Sequence, residues 1–385
     1  MKPIYLDYSS TTPIAEEVQV IMNKNLNDSF GNPSSIHSFG RISKVHIEEA
    51  RQTIALTIGA ESSEIIFTSG GTESDNHSLI GTAFVSKRKS GKNHFIISSI
   101  EHHAVIHSAE YLKSLGFEYS VVNVTSTGLI NLEKLKKLIK PETFLISVMY
   151  VNNEVGTIQN ISEIGNICRI NGILFHTDAV QAYGKLKISV KELPIDLMSI
   201  TSHKIYGPKG IGAIYIRKGI EIDSLIHGGS QERGKRAGTE NLPLIVGFAE
   251  ASKLAYSKLE IENIRIANLK KELLILLKPI SEVIIQNSIV ENSISNIVNI
   301  SFDSTKINID GEALLLNLDL EGFALSSGSA CSSGSVQASH VLLAMGRDEK
   351  TALATLRISI GRYTTIEELK EFVSALLLIV ERIKK

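Results

Sequence analysis

The chain has 385 residues, enough to bury a large core and, at roughly 150 residues per domain, to divide in two. Hydrophobic residues make up 43 % and charged residues 21 %, the balance of an ordinary soluble enzyme. Forty basic against forty-one acidic side chains leave a net charge of −1, so no strong field draws nucleic acid or an anionic membrane to this surface directly.

The N-terminus, MKPIYLDYSS, lacks the basic-then-apolar pattern of a signal peptide. No uninterrupted apolar run reaches membrane-spanning length, so the protein is expected in the cytoplasm and off the membrane. From about residue 60 to 220, short β-rich runs alternate with helical patterns. The runs are EIIFTS (64–69), HFIISS (94–99), FLISVMY (144–150), ILFHTD (173–178), LMSIT (197–201) and IGAIYI (211–216); the helical patterns cover 75–89, 104–115, 131–140 and 161–171. Such alternation predicts an α/β sheet, mainly parallel, with helices on its faces and ligands beyond the carboxyl ends of its strands. A helical segment over about 241–278 then leads to a second unit with strands near 296–302, 322–325 and 355–360. The expected division is a large domain over 16–260 and a smaller one built from 1–15 and 261–385, the latter carrying a loop at about 324–336. No internal repeat is present.

Four features along this frame carry chemistry. The strand at 64–69 runs into Gly70-Gly71-Thr72-Glu73 ahead of a helix, where backbone N–H groups can approach a phosphate. It has neither a Walker lysine nor a dinucleotide fingerprint, which argues against an NTPase or an NAD enzyme. Asp178 ends the strand at 173–178, either as a helix N-cap or as a carboxylate for a ring nitrogen. Lys204 lies in SHKIYGPKG (202–210), where a strand gives way to a Gly/Pro-rich turn. A lysine partly desolvated there is neutral often enough near pH 7 to form a Schiff base. The acid, the lysine and the phosphate turn are together what pyridoxal phosphate requires. The chain's two cysteines cannot make a disulfide framework. Cys168, in IGNICRINGI, reads as a buried, inert thiol. Cys331 lies in ALSSGSACSSGSV (324–336), a run too small and flexible to pack a core, and reads as reactive.

Ten blocks, in this order, resemble the cysteine desulfurases of the NifS/IscS-like family, within the class V aminotransferases of fold type I. They are YLDYSSTTP (5–13), FGNPSSIHSFGR (30–41), TSGGTESDN (68–76), EHHAV (101–105), NNEVGTIQ (152–159), HTDAVQAYGK (176–185), SHKIYGPKG, GGSQERGKRAGTEN (228–241), SSGSACSSG (326–334) and LRISIGR (356–362). The resemblance implies a mainly parallel seven-stranded sheet in the large domain and a smaller α+β C-terminal domain. It implies pyridoxal 5′-phosphate as cofactor and L-cysteine as substrate, converted to L-alanine. The sulfur would pass to Cys331 as a persulfide and on to an acceptor protein, for iron–sulfur cluster assembly, tRNA or cofactor thiolation, or DNA phosphorothioation.

The same resemblance distributes roles. Lys204 would hold the cofactor as an imine and later move the substrate's α-proton, Asp178 would pair with the pyridine nitrogen, and Gln181 would lie near the phenolic oxygen. His102 would stack on the ring and take part in acid–base steps. Gly71, Thr72, Thr201 and His203 would surround the phosphate, and Asn153 would contact ring or substrate. Thr239 would reach the phosphate of the neighbouring subunit, which implies a homodimer. Arg357 and Asn32 would hold the substrate carboxylate by hydrogen-bonded charge pairing. No resident metal is expected, with Cys331 at most a transient iron–sulfur ligand. One departure is Ser202, where many relatives have glycine. A selenocysteine lyase or an aminotransferase on the same fold is the alternative, but it leaves the Ser/Gly-flanked Cys331 unexplained. A non-catalytic assembly platform would have been favoured by loss of Lys204 or Asp178, and both are present.

Overall fold

The computed structural model describes residues 3–328 and 337–383. Within them the strands, in chain order, are β1 (Ile4–Tyr5), β2 (Ile65–Thr68), β3 (His94–Ser98), β4 (Glu118–Val122), β5 (Thr143–Ser147), β6 (Leu174–Asp178), β7 (Leu197–Thr201), β8 (Gly212–Ile216), β9 (Ile284–Gln286), β10 (Ile297–Phe302), β11 (Phe323–Ala324) and β12 (Thr355–Ser359). Seven of them form one sheet in the order β2-β8-β7-β6-β5-β3-β4. β8 runs antiparallel to both neighbours and the remaining pairs are parallel.

Strands such as IIFT and TFLIS are buried along their whole length because both faces of the sheet are covered. Alternate residues feed two different cores, as the period of two requires. Ile65, Phe67 and Ile96 face helices Ser38–Ile58, Ile161–Ile170 and Leu242–Ser257, whereas Ile66, Phe95 and Ile97 face helices Thr82–Ser90 and His103–Ser114. Cys168 sits in the first of these cores at 1 % exposure, and burial pushes its thiol far above the usual range.

The second unit is a three-stranded antiparallel sheet, β12-β10-β9, packed with helices Leu259–Leu276, Gly311–Leu320 and Ile366–Ile383 around its own apolar core. The expected helical segment over 241–278 is two helices, Leu242–Ser257 and Leu259–Leu276, broken at Lys258 without a proline or glycine. Strands β1, β4 and β9 were not anticipated. The N-terminal segment joins the two units: β1 pairs in parallel with β11, and the chain then donates from Ser9 N to Ser359 Oγ at 2.9 Å, from Thr12 N to His203 O at 3.0 Å and from Ala15 N to Tyr206 O at 2.9 Å. No helix among the described residues is long and apolar enough to cross a membrane.

Candidate active site

Five strands of the sheet point their carboxyl ends at one cavity of about 330 Å³, and the second unit and the N-terminal segment close it. After β2 the chain turns through Gly70 into helix Gly71–Asn76, bringing Gly71 and Thr72 to the wall. A Cβ at position 71 would lie 2.7 Å from Val180 Cγ2, so glycine is what lets this turn approach the segment after β6. After β3, His102 caps helix His103–Ser114. Met149, Asn153 and Glu154 follow β5, Asp178 and Gln181 end and follow β6, and Thr201, His203 and Lys204 end and follow β7.

Lys204 Nζ donates to the carbonyl oxygens of Ser9 at 2.5 Å and Ser10 at 2.6 Å. Burial, assisted by the Arg357 guanidinium, brings its amine down to about 8. Asp178 is 5 % exposed and takes one backbone bond, from Val180 N to Oδ1 at 2.9 Å. Burial raises its affinity for a proton, while Lys204 opposes the shift. Asp75 stands beside it, fully buried, with Oδ1 unpartnered, and burial together with the Asp178 charge pushes its carboxyl well up. The basic group nearest Asp75 is His176, 3.7 Å away, which burial holds neutral by bringing it down to about 3. Two desolvated carboxyls thus face one cavity with no lysine or arginine paired to either among the described residues. A protonated ring nitrogen would supply the missing positive charge, so the donor set fits pyridoxal phosphate.

His102 Nδ1 accepts from Ala104 N at 3.1 Å, so the ring's proton is on Nε2. Though exposed to the open cavity, its ring is desolvated by the surrounding protein, which with the nearby Lys204 lowers its pKa to about 4, so the imidazole is neutral at pH 7. His203 is likewise brought down to about 4 by burial, and its Nδ1 meets Thr11 Oγ1 at 3.2 Å. Arg357, rising from β12, spans the cavity roof. Its Nη2 donates to Asp7 Oδ1 at 2.9 Å and Ser10 Oγ at 2.6 Å, its Nη1 donates to the carbonyls of Asn153 and Gly328, and its Nε is buried with no partner among the described residues. Ser202 is buried with Gly207 packed directly against its hydroxyl.

Gly71, Thr72, His102, Asn153, Asp178, Gln181, Thr201, His203, Lys204 and Arg357 are therefore brought together around one cavity. Asn32 and Thr239 are not among its lining residues and stand exposed on this chain. Cys331 lies outside the described residues. Sequence reasoning missed Ser9 and Ser10, whose contacts to Lys204 run through backbone carbonyls and have no side-chain signature. It also missed Asp7, Asp75 and Glu154, although all three lie inside quoted blocks. Glu154 is 1 % exposed, accepts from Ser339 Oγ at 2.5 Å, and is pushed up by burial.

Residues 4–372 match the family described as aminotransferase class-V. The chain is 47 % identical over 384 residues to cysteine desulfurase IscS of Dictyoglomus turgidum, an alignment that takes in 100 % of this chain and 96 % of that one. Among solved structures, a NifS-like protein superposes with a TM-score of 0.91 at 37 % identity, covering 99 % of this chain and 100 % of the other. A structure described as SspA in complex with cysteine superposes with a TM-score of 0.81 at 39 % identity, covering 94 % and 99 %.

Proposed function

The chain belongs to the class V aminotransferases, among the IscS-type cysteine desulfurases, and on that footing we propose that it takes sulfur from L-cysteine and releases L-alanine. The thiol of Cys331 is the sulfur's first acceptor. In the net change the substrate's C–S bond breaks, an S–S bond to Cys331 forms, and a hydrogen replaces sulfur on the product's methyl carbon. The persulfide then serves an acceptor protein.

Pyridoxal 5′-phosphate is the cofactor this site is built to hold, and when bound it supplies an electron sink conjugated to the substrate's α-carbon. Lys204 is the residue that would hold its aldehyde, and Asp178 the residue that would hold its ring nitrogen. Gly71, Thr72, Thr201 and His203 would surround the phosphate. The chain's own groups do the rest. The Lys204 amine, neutral in part near pH 8, carries a proton to and from the α-carbon. His102, neutral with its N–H on Nε2, offers a hydrogen-bond donor or a ring face to the cavity. Arg357, whose Nε has no partner among the described residues, and Asn153 beside it orient the substrate carboxylate.

Two copies of the chain complete the site. Thr239 would lend its hydroxyl to the partner's phosphate pocket, and Asn32 would approach from the same interface. The exposure of both residues supports this, as do the apolar side chains beside Asn32: Phe30 is 73 % exposed and Ile36 91 %.

The observation that carries the reading is the Lys204 amine and the desolvated Asp178 and Asp75 carboxyls around one cavity. Borohydride reduction of the cofactor-loaded protein, followed by peptide mass mapping, should place a reduced adduct on Lys204. An adduct on another lysine, or none, refutes it. Cys331→Ser should keep that adduct and lose persulfide formation from cysteine.

A further inference from the structure

A desolvated amine with no carboxylate partner needs a reason, since desolvation disfavours its charge. Lys185, half-buried beside a small cavity, is such a group. It follows the turn that leaves β6. In that turn Gly184, at φ +70, lies so close to Ile205 and Ala255 that a side chain has no room, and the chain folds back on itself. Lys185 has no ion pair among the described residues. Its side-chain bond there runs to Gln181 Oε1 at 2.8 Å. Burial, then the facing cations Lys204 and Arg357, bring its amine down to about 7. With Lys204, Asn263 and Asn296 it lines a second, smaller cavity of about 70 Å³ on the other side of Lys204.

The Lys185 amine and the Ser9 carbonyl together fix which way the Gln181 amide faces. Gln181 Oε1 accepts from Lys185 Nζ, and Gln181 Nε2 donates to Ser9 O at 2.8 Å. Reversing the amide would set its N–H groups against the amine's hydrogens and its oxygen against the Ser9 carbonyl, losing both bonds. Gln181 lines the main cavity, and with Nε2 already bonded once to Ser9 O, the donor it has left to offer there is its second N–H. The Ser9 carbonyl also accepts from Lys204 Nζ at 2.5 Å, so Lys185, Gln181, Ser9 O and Lys204 form one hydrogen-bonded chain.

We propose that Lys185 is a positioning residue, holding the Gln181 amide so that an N–H donor and not a carbonyl oxygen faces the cofactor. The inference rests on the pyridoxal phosphate reading of the cavity. The donor it sets favours an anionic oxygen on the bound group and fixes the shared Ser9 carbonyl against Lys204.

The test uses the holoenzyme. Lys185→Met removes the amine at similar length, and Gln181→Leu removes the amide. Two quantities are read: the pH midpoint of the visible imine absorbance, and cofactor retention in equilibrium dialysis with pyridoxal phosphate. Lys185→Met should weaken retention about three- to tenfold, as loss of one buried hydrogen bond does. It should also move the midpoint in the same direction as Gln181→Leu. The double variant should do no worse than either single one, because both act through one amide. Lys185→Arg keeps the donor and should keep the wild-type midpoint, and that comparison carries the test if Lys185→Met does not fold. An unmoved midpoint in Lys185→Met, a displaced one in Lys185→Arg, or single effects that multiply in the double variant would overturn the inference. A wild-type protein with no imine absorbance would overturn the cofactor reading itself, and this inference with it.

Discussion

A lysine in water titrates near 10.5, whereas burial helped by Arg357 brings Lys204 down to about 8. At pH 7 that shift raises the neutral fraction of the amine from roughly 0.03 % to roughly 10 %, about 300-fold. Since only the neutral amine attacks an aldehyde, the rate at which cofactor-free protein takes up pyridoxal phosphate should follow this fraction. Stopped-flow growth of the visible imine band should climb about tenfold per pH unit below 8 and level off above it. Stability moves with the same group. Between about pH 8 and 10.5 the unfolded chain holds a proton on this lysine that the folded chain has released, so the cofactor-free fold gains stability as pH rises through that window and bears the full penalty below it. Arg357→Met removes a cation near the amine and leaves Asp7 unpaired. Both changes favour the protonated amine, so the plateau should move to higher pH. A wild-type uptake rate still rising tenfold per unit beyond about pH 9.5 would mean that the amine titrates as it does in water, and the reasoning from burial would fail.

Asp178→Asn keeps the shape of the side chain but not its charge, and alanine formation from cysteine should fall on the order of 10²–10³-fold in kcat/KM, the usual cost of losing a preorganised charge. Gly71→Ala drives a Cβ to 2.7 Å from Val180 Cγ2 and should weaken cofactor binding measured by dialysis. The double variant Gly71→Ala/Val180→Ala, which removes the obstructing methyl, should recover most of the loss. Arg51→Met strands Glu232, which is 5 % exposed and takes bonds of 2.6 and 2.8 Å from Arg51. An unpaired buried charge costs about 3–5 kcal/mol, so the urea midpoint should drop sharply, and Arg51→Met/Glu232→Gln should regain part of it.

The parts of the site that could be read from the sequence are those whose chemistry resides in a side chain at the end of a recognisable strand. Asp178 ends one β-rich run, Lys204 follows a second, and Gly71 and Thr72 follow a third, so period and punctuation place them at the carboxyl edge. Short pairing segments were not legible. β1 has two residues and β9 three, too few for a pattern, and β4 is an edge strand of its sheet, with Glu118 and Val121 exposed. The break at Lys258 between two long helices has no breaker residue to announce it. Asp75 escaped notice for another reason: it lies within a helix, and only the fold sets it beside Asp178.

The N-terminal dozen residues show why such a site cannot be partitioned by sequence position. Their backbone, not their side chains, holds the reactive amine, because the Ser9 and Ser10 carbonyls are the acceptors for Lys204. Those carbonyls are aimed by bonds on either side of them, from Ser9 N to Ser359 Oγ in the second unit and from Thr12 N to His203 O beside the lysine. Asp7 and Ser10 meanwhile hold Arg357, the residue proposed to receive the carboxylate. A group arriving at Arg357 must therefore act on the same short segment that grips Lys204. On the proposed reading, the two ends of the substrate, its carboxylate and its amino group, would both be read by groups tethered to residues 7–12.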